Sequence, residues 1–256
     1  MNSAGTSHLI AEVEQTTGYK VVIDTIEGIS EDAQMISARP ELPVHSIRVS
    51  KAKLPTADYI VAIQCAMLLR TWSDPSRIPV FSPVPEKVRY LADRTAGSKP
   101  LSQLPPKLAQ QTATQFVQGS LNQLRSMSIE ILAIRDCHNQ CPDLHDIQTE
   151  AVEAQLRRLS ENLAPKIRSI APDTIWRNTV SMVSAYALNW SQLADSALAM
   201  LPYQSAGFTD TAAKLLGELN IREAKTSANY TEAVDAWAGH LGLRTLYTWE
   251  FRSARQ

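Results

Sequence analysis

Two cysteines and two histidines in the middle of the chain could hold a metal ion. Cys137, His138, Cys141 and His145 fall within nine residues, and thiolate and imidazole are the donors zinc prefers. The spacing, Cys-x-x-x-Cys-x-x-x-His, is not one of the common zinc patterns, and Pro142 bends the segment. The plain alternative is a loop between two helices whose cysteines and histidines have no special chemistry. Cys65 is a second possible nucleophile, but a reactive thiol needs a base and an electropositive setting. In an apolar run it reads as a small core filler. Its neighbour Gln64 carries an amide that must find partners if buried, which suggests a tie to neighbouring backbone.

Two other segments could make contacts rather than do chemistry. Thr211 to Asn220 (Thr-Ala-Ala-Lys-Leu-Leu-Gly-Glu-Leu-Asn) resembles the first half of a helix-turn-helix, with Ile221 to Thr226 as a short second helix. The tail residues Tyr247, Trp249 and Phe251 could cap the core or dock on a partner. The standard phosphate cradles Gly-x-Gly-x-x-Gly and Gly-x-x-x-x-Gly-Lys are missing, as are Gly-x-Ser-x-Gly, His-Glu-x-x-His and Cys-x-x-Cys.

The elements that must position these residues come from a chain of 256 residues, 44% hydrophobic and 20% charged. That composition supports a sizeable core. Glycine is scarce at 9 residues, which leans towards helix over sheet. The net charge of −1, spread without a basic stripe, weighs against binding through phosphates. Three cysteines do not make a disulfide framework. The N-terminal residues lack the pattern of a signal peptide. The longest apolar run, Tyr59 to Leu69, falls short of the roughly 20 residues that span a bilayer. Cytoplasm is the expected compartment.

Along the chain, Leu9 to Glu14 reads as a short helix ended by Thr16-Thr17-Gly18. Tyr19 to Thr25, Gln34 to Ser37 and Ser46 to Ser50 read as three short strands, with the Pro40 to Pro43 region a loop. Asp58 to Arg70 reads as a helix apolar on every side, hence buried on every side. Pro75, Pro79, Pro83 and Pro85 then suggest a linker. A short helix follows at Glu86 to Thr95, then a loop from Gly97 to Pro106. Beyond it the pattern is helical: Leu108 to Ile134 as one helix or two, then Asp146 to Asn162, Thr174 to Leu201, Phe208 to Leu219 and Tyr230 to His240. Leu246 to Phe251 reads as a strand or extended arm. The expected fold is α+β and mostly helical. A small N-terminal region at 1–106 packs a sheet on the buried helix, and a helical region follows at 107–256, both able to share one core.

The stretch His45-Ser-Ile-Arg-Val-Ser-Lys-Ala-Lys-Leu-Pro-Thr-Ala-Asp-Tyr-Ile-Val-Ala-Ile-Gln-Cys-Ala-Met-Leu-Leu69 resembles the strand-turn-helix of the ImmA/IrrE zinc metallopeptidases. The resemblance covers the order of elements from Val21 to Trp72. In that family the helix carries His-Glu-x-x-His, two zinc ligands and a general base. Here the motif falls on Gln64-Cys65-Ala66-Met67-Leu68, or one residue earlier, and neither frame has a histidine. A faint likeness to the family's second helix places Gln110, Gln111 and Gln115 where an acidic ligand would stand. The resemblance implies a zincin-like scaffold without its zinc. It points to a non-catalytic interaction or regulatory subunit with a protein partner, in a bacterial multi-protein assembly, with no cofactor and no catalytic or metal residues. The alternatives are a metal-dependent or zinc-stabilised protein using the Cys137 cluster, and a DNA-binding regulator using the Thr211 region.

Overall fold

The computed structural model describes residues 3–29 and 31–254. Helix makes up 67% of it, in ten α-helices with two small sheets, so the fold is α+β and mostly helical. Helix α1 (Ala4–Thr17) begins at Ser3, whose hydroxyl accepts from the Thr6 N–H at 3.2 Å, and ends at Gly18 with φ 76°. A left-handed residue closing a helix is the position glycine favours. Strands β1 (Lys20–Ile26), β2 (Ala33–Ile36) and β3 (Val44–Ser50) form one sheet in the order β1-β3-β2. β1 runs parallel to β3 and β2 antiparallel to it, with Met35 opposite Ile47. β2 is therefore an edge strand.

Helix α2 (Ala57–Thr71) follows a 3₁₀ turn at Lys51–Thr56. Ten of its fifteen residues are buried, as its continuous apolar run requires. The stretch Lys51–Thr71 is the one segment among the described residues with the length and apolarity of a membrane span, and over half of it is buried in the protein's own core. The burial is not all-round: Gln64 and Met67 are only partly covered. α1 crosses the start of α2, where Asp58 Oδ2 accepts from the Ser3 N–H at 2.8 Å.

The proline-rich stretch expected to be a linker contains strand β4 (Ile78–Pro83), which pairs antiparallel with β5 (Tyr247–Arg252). Pro79 and Pro83 are tolerated because β4 has a partner on one side only, and an edge strand can leave its outer positions without a donor. Helices α3 (Pro85–Ala96) and α4 (Pro106–Gln140) come next. α4 is unbroken for 35 residues, about 52 Å at helical rise. Gly119-Ser120 and Ser126-Met127-Ser128 do not interrupt it, since Ser120 and Ser128 return their hydroxyls to the carbonyls of Phe116 and Leu124.

Helices α5 (His145–Ser160), α6 (Pro165–Ile170), α7 (Asp173–Leu193), α8 (Leu201–Ser205), α9 (Thr209–Asn220) and α10 (Ser227–Leu241) complete the order. Two boundaries differ from expectation. Pro165 opens α6, and the long helix expected to reach Leu201 stops at Leu193. Asp195 then takes φ 47°, a left-handed turn that a helix cannot continue through. Pro165 and Pro202 each sit in a first helical turn, where a missing N–H costs nothing. One core cluster runs from Leu9 to Ala254 and takes side chains from every part of the chain.

Candidate functional site

Helix α2 and the second half of α4 pack side by side. A buried ion pair holds them together. Arg70 donates through Nε to Asp136 Oδ2 at 2.8 Å and through Nη2 to Oδ1 at 2.9 Å. Its Nη1 donates to the Glu223 carbonyl at 3.0 Å, so the loop before α10 is tied in as well. Burial pushes the Asp136 carboxyl above its usual range, and the Arg70 contacts oppose that rise.

The two helices also line a cleft of about 520 Å³. Strand β2 forms one rim with Ala33 and Met35, and α5 forms another with Ala151, Gln155 and Arg158. α2 contributes Ile60, Ile63, Gln64 and Met67, and α4 contributes Arg125, Ser126 and Glu130. Helical spacing explains the α2 set, since positions 60, 63, 64 and 67 share one face. A second hollow of about 320 Å³ shares Met35, Met67, Arg125 and Ser126 with the first and extends to β4. The result is a continuous groove bordered by two edge strands, β2 and β4.

Several polar groups line the cleft. Asp32 accepts from both terminal nitrogens of Arg158 at 2.9 and 2.8 Å. These contacts and Lys53, 3.4 Å away, hold its carboxyl below the usual range against the opposing effect of burial. Glu130 is half-buried, accepts from Gln155 Nε2 at 2.8 Å, and has its carboxyl pushed up by desolvation. The Tyr59 and Tyr186 hydroxyls are buried without a hydrogen-bond partner among the described residues. Desolvation raises both phenols well above their ordinary value.

Gln64 does not make the backbone tie expected of a buried amide. It faces the cleft, and no hydrogen bond to it is found among the described residues, because its side of α2 is the one that no element covers. Cys65 points the other way, fully buried, with its thiol pushed up to about 12 by burial. Gln110, Gln111 and Gln115 lie on the first half of α4, where Gln110 bonds Asp93 of α3 at 2.8 Å. Gln115 is 15 residues before Glu130, about 22 Å along the helix. α4 thus presents a carboxylate to α2, but it is Glu130.

The Cys137 cluster is divided by its packing. Cys137 and Cys141 are buried with Cys65, and desolvation raises both thiols, Cys141 to about 11. His138 and His145 face the other way and stack at 4.3 Å. His145 Nε2 bonds the His138 carbonyl at 2.7 Å, and His138 Nδ1 bonds Gln148 at 3.1 Å. Among the described residues no group of three or more His, Cys, Asp or Glu side chains is placed to hold a metal ion. These residues pin the α4–α5 turn. A Cβ on Gly5 would come within 2.6 Å of Cys141 Cβ, so α1 also closes on this turn.

The expected second helix at Ile221 to Thr226 is not formed: turns fill it, and α10 begins at Ser227. Leu215, Leu216 and Leu219 of α9 are buried, and Trp237 of α10 donates to the Leu215 carbonyl at 2.8 Å. Both helices spend their inner faces on each other and the core. In the tail, Tyr247 stacks on Phe81 at 4.2 Å. Asp235 of α10 accepts from Tyr247 Oη at 2.7 Å and Trp249 Nε1 at 2.9 Å. Phe251 stays exposed, under the Arg77 guanidinium at 4.3 Å.

Sequence reasoning missed Arg70, Asp136 and Glu130. The available signal was a charge inside an apolar run: Glu130 stands between Ile129 and Ile131, and Arg70 follows Leu68-Leu69. Comparison with protein-family models, curated proteins and solved structures finds no match.

Proposed function

We propose that the protein is a non-catalytic binding subunit, a regulatory or adaptor component of a bacterial assembly, that holds an extended segment of a protein partner in the groove between β2, α2, α4 and β4. The observation that carries this reading is the face α2 turns to the cleft. On the frame that begins one residue before Gln64, the positions corresponding to His-Glu-x-x-His are Ile63, Gln64 and Met67, and all three line the cleft. Isoleucine, glutamine and methionine cannot act as the imidazole ligands and carboxylate base of a zinc peptidase. They can make an adaptable contact surface, since methionine packs against varied shapes. The two edge strands support the same reading, because an extended chain can add its backbone to an open sheet edge. On this view the scaffold is that of a metallopeptidase whose substrate groove has been kept for binding.

Native mass spectrometry of the protein purified gently from its host tests this. The expected result is a stoichiometric protein partner that is lost with Met67→Lys in the groove and retained with Ile221→Lys, an exposed position outside it. A chain without a partner, or a partner retained by Met67→Lys, would overturn the proposal.

A further inference from the structure

The hollow of about 320 Å³ at the β4 end of the groove has charges of one sign only. Arg125 of α4 and Arg252 at the end of β5 line it, and no aspartate or glutamate does. Neither guanidinium has an ion pair or a hydrogen bond among the described residues, and neither belongs to a residue with a further partner. Arg252 lies instead over the Trp72 ring, 5.8 Å from its centroid. Asp32 and Glu130 belong to the adjoining cleft. The third polar group is Tyr230 of α10, a residue 6% exposed whose ring meets Trp249 edge-on at 5.5 Å. Its hydroxyl makes no hydrogen bond among the described residues. Unlike those of Tyr59 and Tyr186, it is not sealed from solvent, so it opens on the hollow that the residue lines. Burial raises the phenol, and the charge of Arg125 opposes that rise. The group is therefore a proton donor at neutral pH and lies within the field of a cation. A buried donor and two uncompensated guanidiniums around one hollow are the recognition chemistry of an anion.

We propose that this hollow is a carboxylate receptor, in which Arg125 and Arg252 pair with an acidic side chain of the docked partner segment and the Tyr230 hydroxyl donates to it. This rests on the reading of the groove as a partner site and names the chemistry of what enters its β4 end. Charge complementarity selects the acid. Continuity selects the source, since the hollow shares Met35, Met67, Arg125 and Ser126 with the cleft. Trp72, Ile78 and Phe81 give the walls, an apolar lining for the methylenes of a glutamate. A basic side chain is repelled there by both arginines. Both are exposed, so salt should weaken the pairing.

The test titrates the full chain by NMR with two capped peptides, acetyl-Leu-Glu-Leu-amide and its glutamine analogue. The Glu peptide is expected to bind at least about tenfold more tightly and to shift the Trp72 indole and Phe81 ring resonances. Arg125→Gln and Arg252→Gln should each abolish the preference, and Arg94→Gln, an exposed arginine outside the hollow, should keep it. Tyr230→Phe keeps the ring and should weaken the Glu peptide about three- to tenfold. A preference that survives either hollow arginine variant, or an affinity unchanged in Tyr230→Phe, would overturn the proposal. Pentanoate against pentanamide separates the sources: pentanoate as tight as the Glu peptide would make a free organic acid the occupant and overturn the partner segment as its origin. Equal binding of the two peptides would overturn the carboxylate inference and leave the groove reading standing. Binding of neither would overturn it too, and the partner-retention experiment would then decide the groove reading separately.

Discussion

Removing one member of the Arg70–Asp136 pair should be among the most damaging single changes in this protein. The side chains are 4% and 12% exposed, so solvent screens the pair little. Two parallel charge-assisted hydrogen bonds join them, each worth about 1.5–3 kcal/mol. Breaking a buried pair from one side leaves the other charge without compensation, at about 3–5 kcal/mol. Asp136→Leu strands a guanidinium that keeps only its bonds to the Glu223 and Ala224 carbonyls, and Arg70→Met strands a carboxylate that burial already disfavours. Each single variant should therefore lose about 3–5 kcal/mol, a large part of the roughly 5–15 kcal/mol that holds a domain folded. The double variant Arg70→Met/Asp136→Leu should recover to within about 1–2 kcal/mol of the parent, the residue being the donors lost to the Glu223 and Ala224 carbonyls. Urea unfolding followed by circular dichroism measures all four proteins. Single variants that cost less than about 1 kcal/mol would refute the reasoning. So would a double variant whose loss equals the sum of the singles, because the pair would then carry no coupling.

Three further predictions concern the cleft and the turn behind it. Because Glu130 titrates above its ordinary 4.5 in the folded protein, its contribution to stability is full below that pH and is lost as pH rises through the raised value. Glu130→Gln should be more stable than the parent near neutrality and equal to it at about pH 4, and a variant less stable at neutrality would contradict this. Gly5→Ala should cost about 1–3 kcal/mol by overpacking, since its Cβ would meet Cys141 Cβ at 2.6 Å and Asp143 Oδ1 at 2.7 Å; an unchanged melting temperature would show that α1 does not close on the turn. Iodoacetamide at pH 8 should label Cys65, Cys137 and Cys141 far more slowly in the native protein than in urea, because all three thiols are buried and raised. Rapid native labelling of any one would place that thiol at the surface.

The sequence by itself determined most of what is local here. The apolar run of α2 announced a helix buried over most of its surface, although the side that carries Gln64 and Met67 is only partly covered. The 3.6-residue spacing of Val152 and Leu156 announced α5, and the β-branched runs announced the three-stranded sheet. Prolines were read less well, because a proline opens a helix as readily as it ends one, and Pro165 and Pro202 do the former. What only the tertiary structure decided is long-range. β4 was hidden by its prolines until its distant partner β5, paired with it from Ile78 opposite Arg252 to Pro83 opposite Tyr247, showed it to be an edge strand. Arg70 and Asp136 are 66 residues apart, and no local pattern joins them. The same holds for the cleft. Gln64 lay in plain view on α2, but whether its side of the helix was covered depended on how α4 and α5 pack, and that packing is also what carries Glu130 to the floor beneath it.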